Sequence, residues 1–174
     1  MQPLILIDVD GVLNIYPRRA SQLGTPWIDA KCRVAGWSLR VTLNPDHGPM
    51  LLALAEKHDA QLVWATTWER DANREISPLV GLPTDLPVIG VERDRQMLGS
   101  PVPGVMRKVP YVADYVGGRP FVWFDDDLSP RDGEYLADHA GPHCLITVDD
   151  WDGLTLADIE QADEWLTELA GGAR

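Results

Sequence analysis

The chain has 174 residues, of which 15 are basic and 27 acidic, and its formal net charge is −12. This length suits one domain with a sizeable core. A composition of 45% hydrophobic and 24% charged residues excludes disordered, collagen-like and disulfide-scaffold proteins. The acidic balance argues against an extended nucleic-acid surface or an anionic-membrane surface, because both require a surplus of Lys and Arg.

The predicted secondary-structure elements alternate between strands and helices. In chain order they are a strand at 4–9, a strand at 37–43, a helix at 45–58, a strand at 61–65, a weaker helix at 72–80, a strand at 86–91, a helix at 107–116, a strand at 120–124, a helix at 131–140, a strand at 144–148 and a C-terminal helix at 155–170. Residues 14–36 are irregular and, with the strand at 37–43, form a flap or hairpin insert at 14–43. Thr155 and Asp158 form a capping box at the start of the last helix.

This alternation predicts an α/β fold, with a three-layer α/β/α Rossmann-like parallel sheet. Because the irregular insert after the first strand is limited to residues 14–36, we expect no large cap domain. We expect a single domain over residues 1–174. In such sheets, ligands bind outside the carboxyl ends of the strands, so polar residues at those ends carry the most information.

Neither a targeting segment nor a membrane span is predicted. The apolar run that begins at Leu4 is short and meets Asp8, whereas a signal peptide needs a basic start and a longer apolar core. Cys32 and Cys144 lie far apart with no metal-type spacing, which is typical of a reducing compartment. We therefore expect a cytoplasmic monomer or small homo-oligomer with no membrane partner.

Several polar residues follow the predicted strands. They are Asp8 and Asp10 after the first strand, Thr66 and Thr67 after the strand at 61–65, and Asp125, Asp126 and Asp127 after the strand at 120–124. Lys108 opens the preceding helix.

Grouped carboxylates repel one another unless a cation is present, and Mg²⁺ fits carboxylate oxygens beside a phosphate. One carboxylate can attack phosphorus while a second handles the leaving-group proton. Thr66 can bond a phosphoryl oxygen, and Lys108 can neutralise charge.

The same residues carry a family resemblance. The segments DVDGVLN (Asp8 to Asn14), VWATT (Val63 to Thr67), Lys108 and VWFDDD (Val122 to Asp127) resemble, in order, the four motifs of the haloacid dehalogenase-like (HAD) hydrolases. A receiver domain also uses Asp, Thr and Lys around Mg²⁺. In a receiver, however, the acidic pair comes first and the Lys last, whereas here Lys108 precedes Asp125.

The resemblance implies a role for each matching residue. Asp8 would be the nucleophile that forms an aspartyl-phosphate, and Asp10 the general acid and base. Thr66 and Lys108 would be the second-motif hydroxyl and the third-motif lysine. Asp125 and Asp126 would hold Mg²⁺ with Asp8 and the backbone carbonyl of Asp10. Whether Asp126 or Asp127 accompanies Asp125 stays open.

Substrate preference is less sharply indicated. Residues Ala65 to Glu69, with Asp71 to Asn73, are similar to the small capless branch associated with RNA-repair proteins and polynucleotide phosphatases. Candidate substrate-binding residues are Thr67, Trp68, Arg18 and Arg70. The predicted partner is a phosphorylated small molecule or a nucleic-acid end. The alternatives to a phosphatase for nucleotides or nucleic-acid ends are a small-metabolite phosphatase and a phosphate-binding regulatory protein with little turnover.

Overall fold

The computed structural model describes residues 1–15, 18–91 and 100–172. Tyr16 and Pro17 of the predicted irregular segment lie outside the described residues. The elements in chain order are β1 (Leu4–Ile7), α1 (Ala20–Leu23), β2 (Ile28–Val34), β3 (Trp37–Leu43), α2 (His47–Lys57), β4 (Gln61–Trp64), a π-helical turn (Ala72–Ile76), α3 (Ser77–Val80), α4 (Val109–Val116), β5 (Phe121–Asp125), α5 (Pro130–His139), β6 (His143–Thr147) and α6 (Leu156–Gly172).

The central sheet has the order β4-β1-β5-β6, and its three pairings are all parallel. Every residue of β1 and of β5 is buried, because apolar side chains point to both faces of the sheet. Helices cover both faces, so the predicted three-layer α/β architecture is confirmed.

A hydrophobic core lies on each face of the sheet. Alternate residues of β1 divide between them, since successive side chains on a strand point in opposite directions. Ile5 and Ile7 belong to the core shared with α2, α6 and the β2–β3 hairpin. Leu4 and Leu6 belong to the core shared with α4 and α5. The short β1 is therefore fixed from both sides, and the residues that follow it have a rigid base.

The strand register brings three chain segments to one edge of the sheet. Ile7, at the end of β1, pairs with Trp64 of β4 and Phe124 of β5. The next residues along each chain segment, beginning with Asp8, Ala65 and Asp125, therefore emerge side by side.

The insert after β1 is more ordered than the sequence pattern indicates. The irregular segment 14–36 contains the short helix α1 and the whole of β2, which pairs antiparallel with β3. The hairpin turns at Ala35 and Gly36, where both residues have positive φ angles. Leu43 also forms a bridge with Asn14, so the base of the hairpin is tied to the segment after β1.

The predicted strand at 86–91 is wrong as an extended element. Its pairing is a single bridge between Val88 and Trp64. Pro87 has no N–H to donate, and the Leu86 N–H donates instead to the Asn73 side chain at 3.1 Å. Too few backbone groups remain for a ladder.

Two helix predictions are also modified. The weak helix predicted at 72–80 is a π-helical turn followed by one turn of α-helix, and π-bulges recur near functional sites. The helix predicted from residue 107 begins at Val109, with Lys108 at its N-cap.

The Thr155–Asp158 capping box is confirmed, since the Thr155 N–H donates to Asp158 at 2.8 Å. Among the described helices, none combines the length and apolar character needed to cross a membrane.

Candidate active site

A buried lysine joins two carboxylates at the carboxyl edge of the sheet. The Lys108 Nζ donates to Asp8 Oδ2 and to Asp125 Oδ2, both at 2.5 Å. Asp8 is 6% exposed, Asp125 0% and Lys108 7%. The Thr66 side chain, also buried, hydrogen-bonds to the Asp8 carboxylate. Four sequence-predicted residues are thus brought into direct contact.

The carboxylates of this cluster outnumber its one lysine, and the pKa values of these groups are shifted. Burial raises the pKa of Asp8, against the opposing charge of Lys108. Burial, with the Asp8 charge, raises the pKa of Asp125 to about 7 and also raises the pKa of the half-buried Asp126. Burial alone would lower the pKa of Lys108, but the charges of Asp8 and Asp125 raise it overall. The carboxylates therefore lack sufficient positive charge to be stable when ionised.

The acidic residues fit a divalent cation. One carboxylate oxygen from each of Asp8, Asp125 and Asp126 lies within 4.8 Å of the others. With Lys108 the ionised cluster carries three negative charges and one positive charge, so a divalent ion would neutralise it. Carboxylate oxygens at one open edge are the donor type that Mg²⁺ takes. Asp127, in contrast, is exposed, and its N–H donates to Asp125 Oδ1 at 3.2 Å.

The turn after β1 requires glycine for space as well as for conformation. Gly11 has φ +74°, and a Cβ placed there would lie 2.2 Å from the Asp126 Cγ. The backbone after Asp10 therefore packs directly against the Asp126 carboxylate. Such an approach is possible only where the Cβ is absent.

Asp10 is held by two side chains that come from different elements. The Asn14 Nδ2 donates to Asp10 Oδ1 at 2.7 Å, and the Trp68 Nε1 donates to Asp10 Oδ2 at 2.8 Å. Asn14 in turn accepts the Thr42 N–H of β3 at 2.9 Å. The Asp10 carboxylate is thus fixed to the hairpin and to the loop after β4, and does not join the three-carboxylate cluster.

Sequence reasoning missed Asn14 and assigned Trp68 to substrate. Trp68 is 1% exposed, so its side chain is buried and its indole N–H bonds to Asp10. Asn14 belongs to the first motif, but the sequence pattern gives it no role. Its contact depends on a tight turn, in which the Gly11 N–H donates to the Asn14 carbonyl at 2.9 Å. The sequence signal available was an amide side chain four residues after Asp10.

Asp132 is a second missed residue. It is completely buried and accepts the Ser129 N–H at 2.8 Å, the Ser129 hydroxyl at 2.6 Å and the Met106 N–H at 2.7 Å. It therefore caps α5 and also anchors the loop two residues before Lys108. The N-cap residue of α5 is Ser129.

The remaining predicted substrate residues lie outside the carboxylate cluster. Arg18 pairs with Asp152 at 3.2 Å and lies over the Trp151 ring at 5.3 Å. Arg70 is exposed and lines a cavity of about 700 Å³ with Asn73 and Arg74. Thr67 is exposed beside the buried Thr66.

Comparison with known proteins agrees with this geometry. The family described as the HAD domain in Swiss Army Knife RNA repair proteins matches residues 4–159, a span that includes β1 and every cluster residue. No curated protein matches the chain. The family match supports an enzyme of hydrolase or phosphatase type and confirms the suspected relationship to the RNA-repair-associated HAD group. The chain therefore belongs to the family of HAD domains in Swiss Army Knife RNA repair proteins.

Proposed function

We propose that this chain is a Mg²⁺-dependent phosphatase that hydrolyses a phosphomonoester through an aspartyl-phosphate on Asp8. The proposed substrate is a nucleotide or a nucleic-acid terminal phosphate. The observation that carries the proposal is the contact of Lys108 with both Asp8 and Asp125, next to Asp126. This arrangement orients the Asp8 carboxylate, and the Lys108 charge favours its ionised, nucleophilic form against the effect of burial.

In the first step, an Asp8 oxygen attacks phosphorus and the bond between phosphorus and the leaving oxygen breaks. Lys108 and the Thr66 hydroxyl stabilise the negative charge on Asp8 and on the phosphoryl oxygens. Asp8, Asp125 and Asp126 would hold Mg²⁺ with the Asp10 backbone carbonyl. The bound ion would supply positive charge to the phosphoryl group.

Asp10 would transfer the proton in both steps. Its carboxyl group donates a proton to the departing oxygen, and its carboxylate then accepts a proton from the water that attacks the phosphorus of the aspartyl-phosphate. Inorganic phosphate leaves, and the Asp8 carboxylate is restored. Asn14 and Trp68 orient Asp10 for this exchange.

Asp8→Asn should reduce the release of phosphate from an aryl phosphate to background, because a neutral amide cannot attack phosphorus. The matched control is Asp127→Asn, which makes the same change on an exposed neighbour of the cluster and should keep near-wild-type turnover. Circular dichroism of both variants checks the fold. Undiminished Mg²⁺-dependent turnover in the Asp8 variant would exclude the proposed nucleophile.

A substrate panel separates the remaining alternatives. Phosphorylated oligonucleotides, mononucleotides and sugar phosphates are compared by kcat/KM. The family description favours a nucleic-acid end, and a preference for sugar phosphates would instead identify a metabolite phosphatase. Wild-type protein that binds phosphate without turning over any member of the panel would be a regulatory phosphate-binding protein.

A further inference from the structure

Positive charge is concentrated in the hairpin insert. Residues 14–43 contain five basic residues and one acidic residue, a formal charge of +4, so the rest of the chain carries −16. The five are Arg18, Arg19, Lys31, Arg33 and Arg40. The net charge of −12 conceals this segregation. A local basic surface on a strongly acidic protein guides a polyanion to one place and repels it elsewhere.

The hairpin register gathers three of these residues on one face. Lys31 pairs directly with Arg40, and Arg33 pairs with Ser38, so Lys31, Arg33 and Arg40 share a face that we call the basic face. All three residues are exposed. Within the described part of the chain, the side chains of Lys31 and Arg33 form no ion pair.

The pairing of Lys31 with Arg40 is unfavourable by itself. Like charges directly opposite each other in an antiparallel pair destabilise it. The acidic residue on this face is Asp29, whose pKa is lowered chiefly by its hydrogen bond with Thr42 and only secondarily by Arg19 and Arg40. The basic face therefore carries three positive charges and one negative charge of its own.

The basic face leads toward the candidate active site. Asp29 pairs with Thr42 at the base of the same face. The Thr42 N–H donates to Asn14, and Asn14 donates to Asp10. Arg40 lies two residues from Thr42 along β3, about 7 Å at the rise of a strand. The base of the basic face is thus joined by hydrogen bonds to Asp10 at the carboxyl edge of the sheet.

The free end of the hairpin carries an exposed aromatic residue. Trp37 is 75% exposed and lies next to the Ala35–Gly36 turn. Trp37 pairs with Val34, so its side chain projects from the side of the hairpin opposite to the basic face, and the two surfaces meet at the free end. Exposed aromatic rings are surfaces on which the bases of a single strand stack. The proposed action on a nucleic-acid end favours a single strand over an acidic peptide or a lipid headgroup as the occupant.

We propose that the basic face, together with Trp37, binds the backbone and a base of a single-stranded nucleic acid whose phosphorylated end enters the active site. This inference rests on the proposed phosphatase function and adds the surface that holds the rest of the substrate. Lys31 and Arg40 contact phosphates, and Trp37 stacks on a base.

Binding is measured by fluorescence anisotropy with a single-stranded oligoribonucleotide of about 12 nucleotides, in EDTA and over a salt series. Lys31→Gln with Arg40→Gln should make the slope of log affinity against log salt shallower by about 1.4, since each phosphate contact on a single strand contributes about 0.7. Between about 50 and 200 mM salt, the wild type should lose about sevenfold more affinity than this double variant.

The matched control is Lys57→Gln with Arg119→Gln. It removes the same charge at the opposite edge of the sheet, where Lys57 precedes β4 and Arg119 precedes β5, and its salt slope should equal that of the wild type. Trp37→Ala should lower affinity about tenfold with the slope unchanged, because stacking involves no counterion release.

Three results would overturn the inference. They are no measurable affinity in the wild type, equal slopes for the two double variants, and unchanged affinity in the Trp37 variant. Equal binding of polyglutamate or of phosphatidylserine vesicles would likewise exclude a nucleic-acid surface. Aryl-phosphate turnover by the wild type is measured separately in Mg²⁺. Turnover without oligonucleotide binding rejects the surface alone, and binding without turnover rejects the phosphatase alone.

Discussion

Gly11 shows how one residue connects the backbone turn to the acidic cluster. Two separate features of this position require glycine. The positive φ angle is energetically unfavourable for other residues, and the close approach of Asp126 leaves no room for a Cβ atom. A substitution at this position should therefore affect the folded state and the geometry of the candidate metal site together.

Gly11→Ala should destabilise the fold by about 1–2 kcal/mol through the left-handed backbone and should also weaken Mg²⁺ binding by displacing Asp126. Thermal unfolding with and without Mg²⁺ measures both effects. Gly24→Ala is the matched control, because Gly24 has φ +80° and a Cβ there would meet nothing within 4 Å. It should lose stability but keep the full Mg²⁺-dependent increase. Equal Mg²⁺ responses in the two variants would show that the Asp126 position is unimportant.

Trp68 should act as a positioning residue for Asp10. Trp68→Phe keeps an aromatic ring but removes the N–H that donates to the Asp10 carboxylate. A hydrogen bond to a charged group is worth about 1.5–3 kcal/mol, so we expect kcat/KM for alkyl phosphates to fall by about tenfold or more. The fall should be much smaller for nitrophenyl phosphate, whose leaving group needs little protonation. Equal losses on both substrates would indicate a general packing defect.

At the scale of elements, α5 and the loop before Lys108 are held by the same carboxylate. Asp132 caps the helix through Ser129 and accepts the Met106 N–H from the loop. The position of Lys108 between Asp8 and Asp125 therefore depends on a residue that takes no part in the proposed chemistry.

Asp132→Asn should cost about 1–3 kcal/mol of unfolding free energy, because buried donors lose an acceptor, and should also lower kcat. Asp158→Asn is the matched control. Asp158 forms the same kind of capping box with Thr155 on α6. Its replacement by Asn should reduce stability with little effect on turnover. Urea unfolding and aryl-phosphate kinetics on both variants test this. Undiminished kcat in the Asp132 variant would show that the position of Lys108 does not depend on Asp132.

At the scale of the whole molecule, pH should act on stability through a buried histidine. His47 is 1% exposed, packs edge-on against Trp27 at 5.6 Å, and has its pKa lowered by burial to about 4. Between pH 4 and the ordinary value of 6.5, the unfolded chain binds more protons at this residue than the folded chain. The stabilising contribution is therefore present above pH 6.5 and is lost as pH falls to 4.

His47→Gln should remove this pH dependence. The difference in unfolding free energy between the wild type and the variant should decrease by about 3 kcal/mol from pH 6.5 to pH 4. The raised pKa values of the cluster carboxylates act with the opposite sign, but they cancel in the difference. Urea unfolding at several pH values provides the measurement, and a difference that does not vary with pH would contradict the buried, neutral histidine.

The sequence by itself determined the parallel α/β sheet, because the apolar runs of β1 and β5 can be buried only between two layers. It also identified Asp8, Thr66, Lys108 and Asp125 as neighbours, since parallel strands bring their carboxyl ends to one edge, and it left Asp126 and Asp127 as alternatives. The fold and the family could be predicted from the sequence, because the fold depends on the local hydrophobic pattern and the family on the order of the motifs.

Only the tertiary structure decided how these groups are held and charged. The hydrogen bonds from Trp68 to Asp10 and from Met106 to Asp132 join residues that lie far apart in the chain, and the bond from Asn14 to Asp10 depends on an irregular turn. The predicted strand at 86–91 is reduced to one bridge with Trp64, because Pro87 has no N–H and the Leu86 N–H donates to Asn73. The basic face of the hairpin exists only in the register that sets Lys31 opposite Arg40. Composition averages charge over the chain, whereas the fold decides which charges meet.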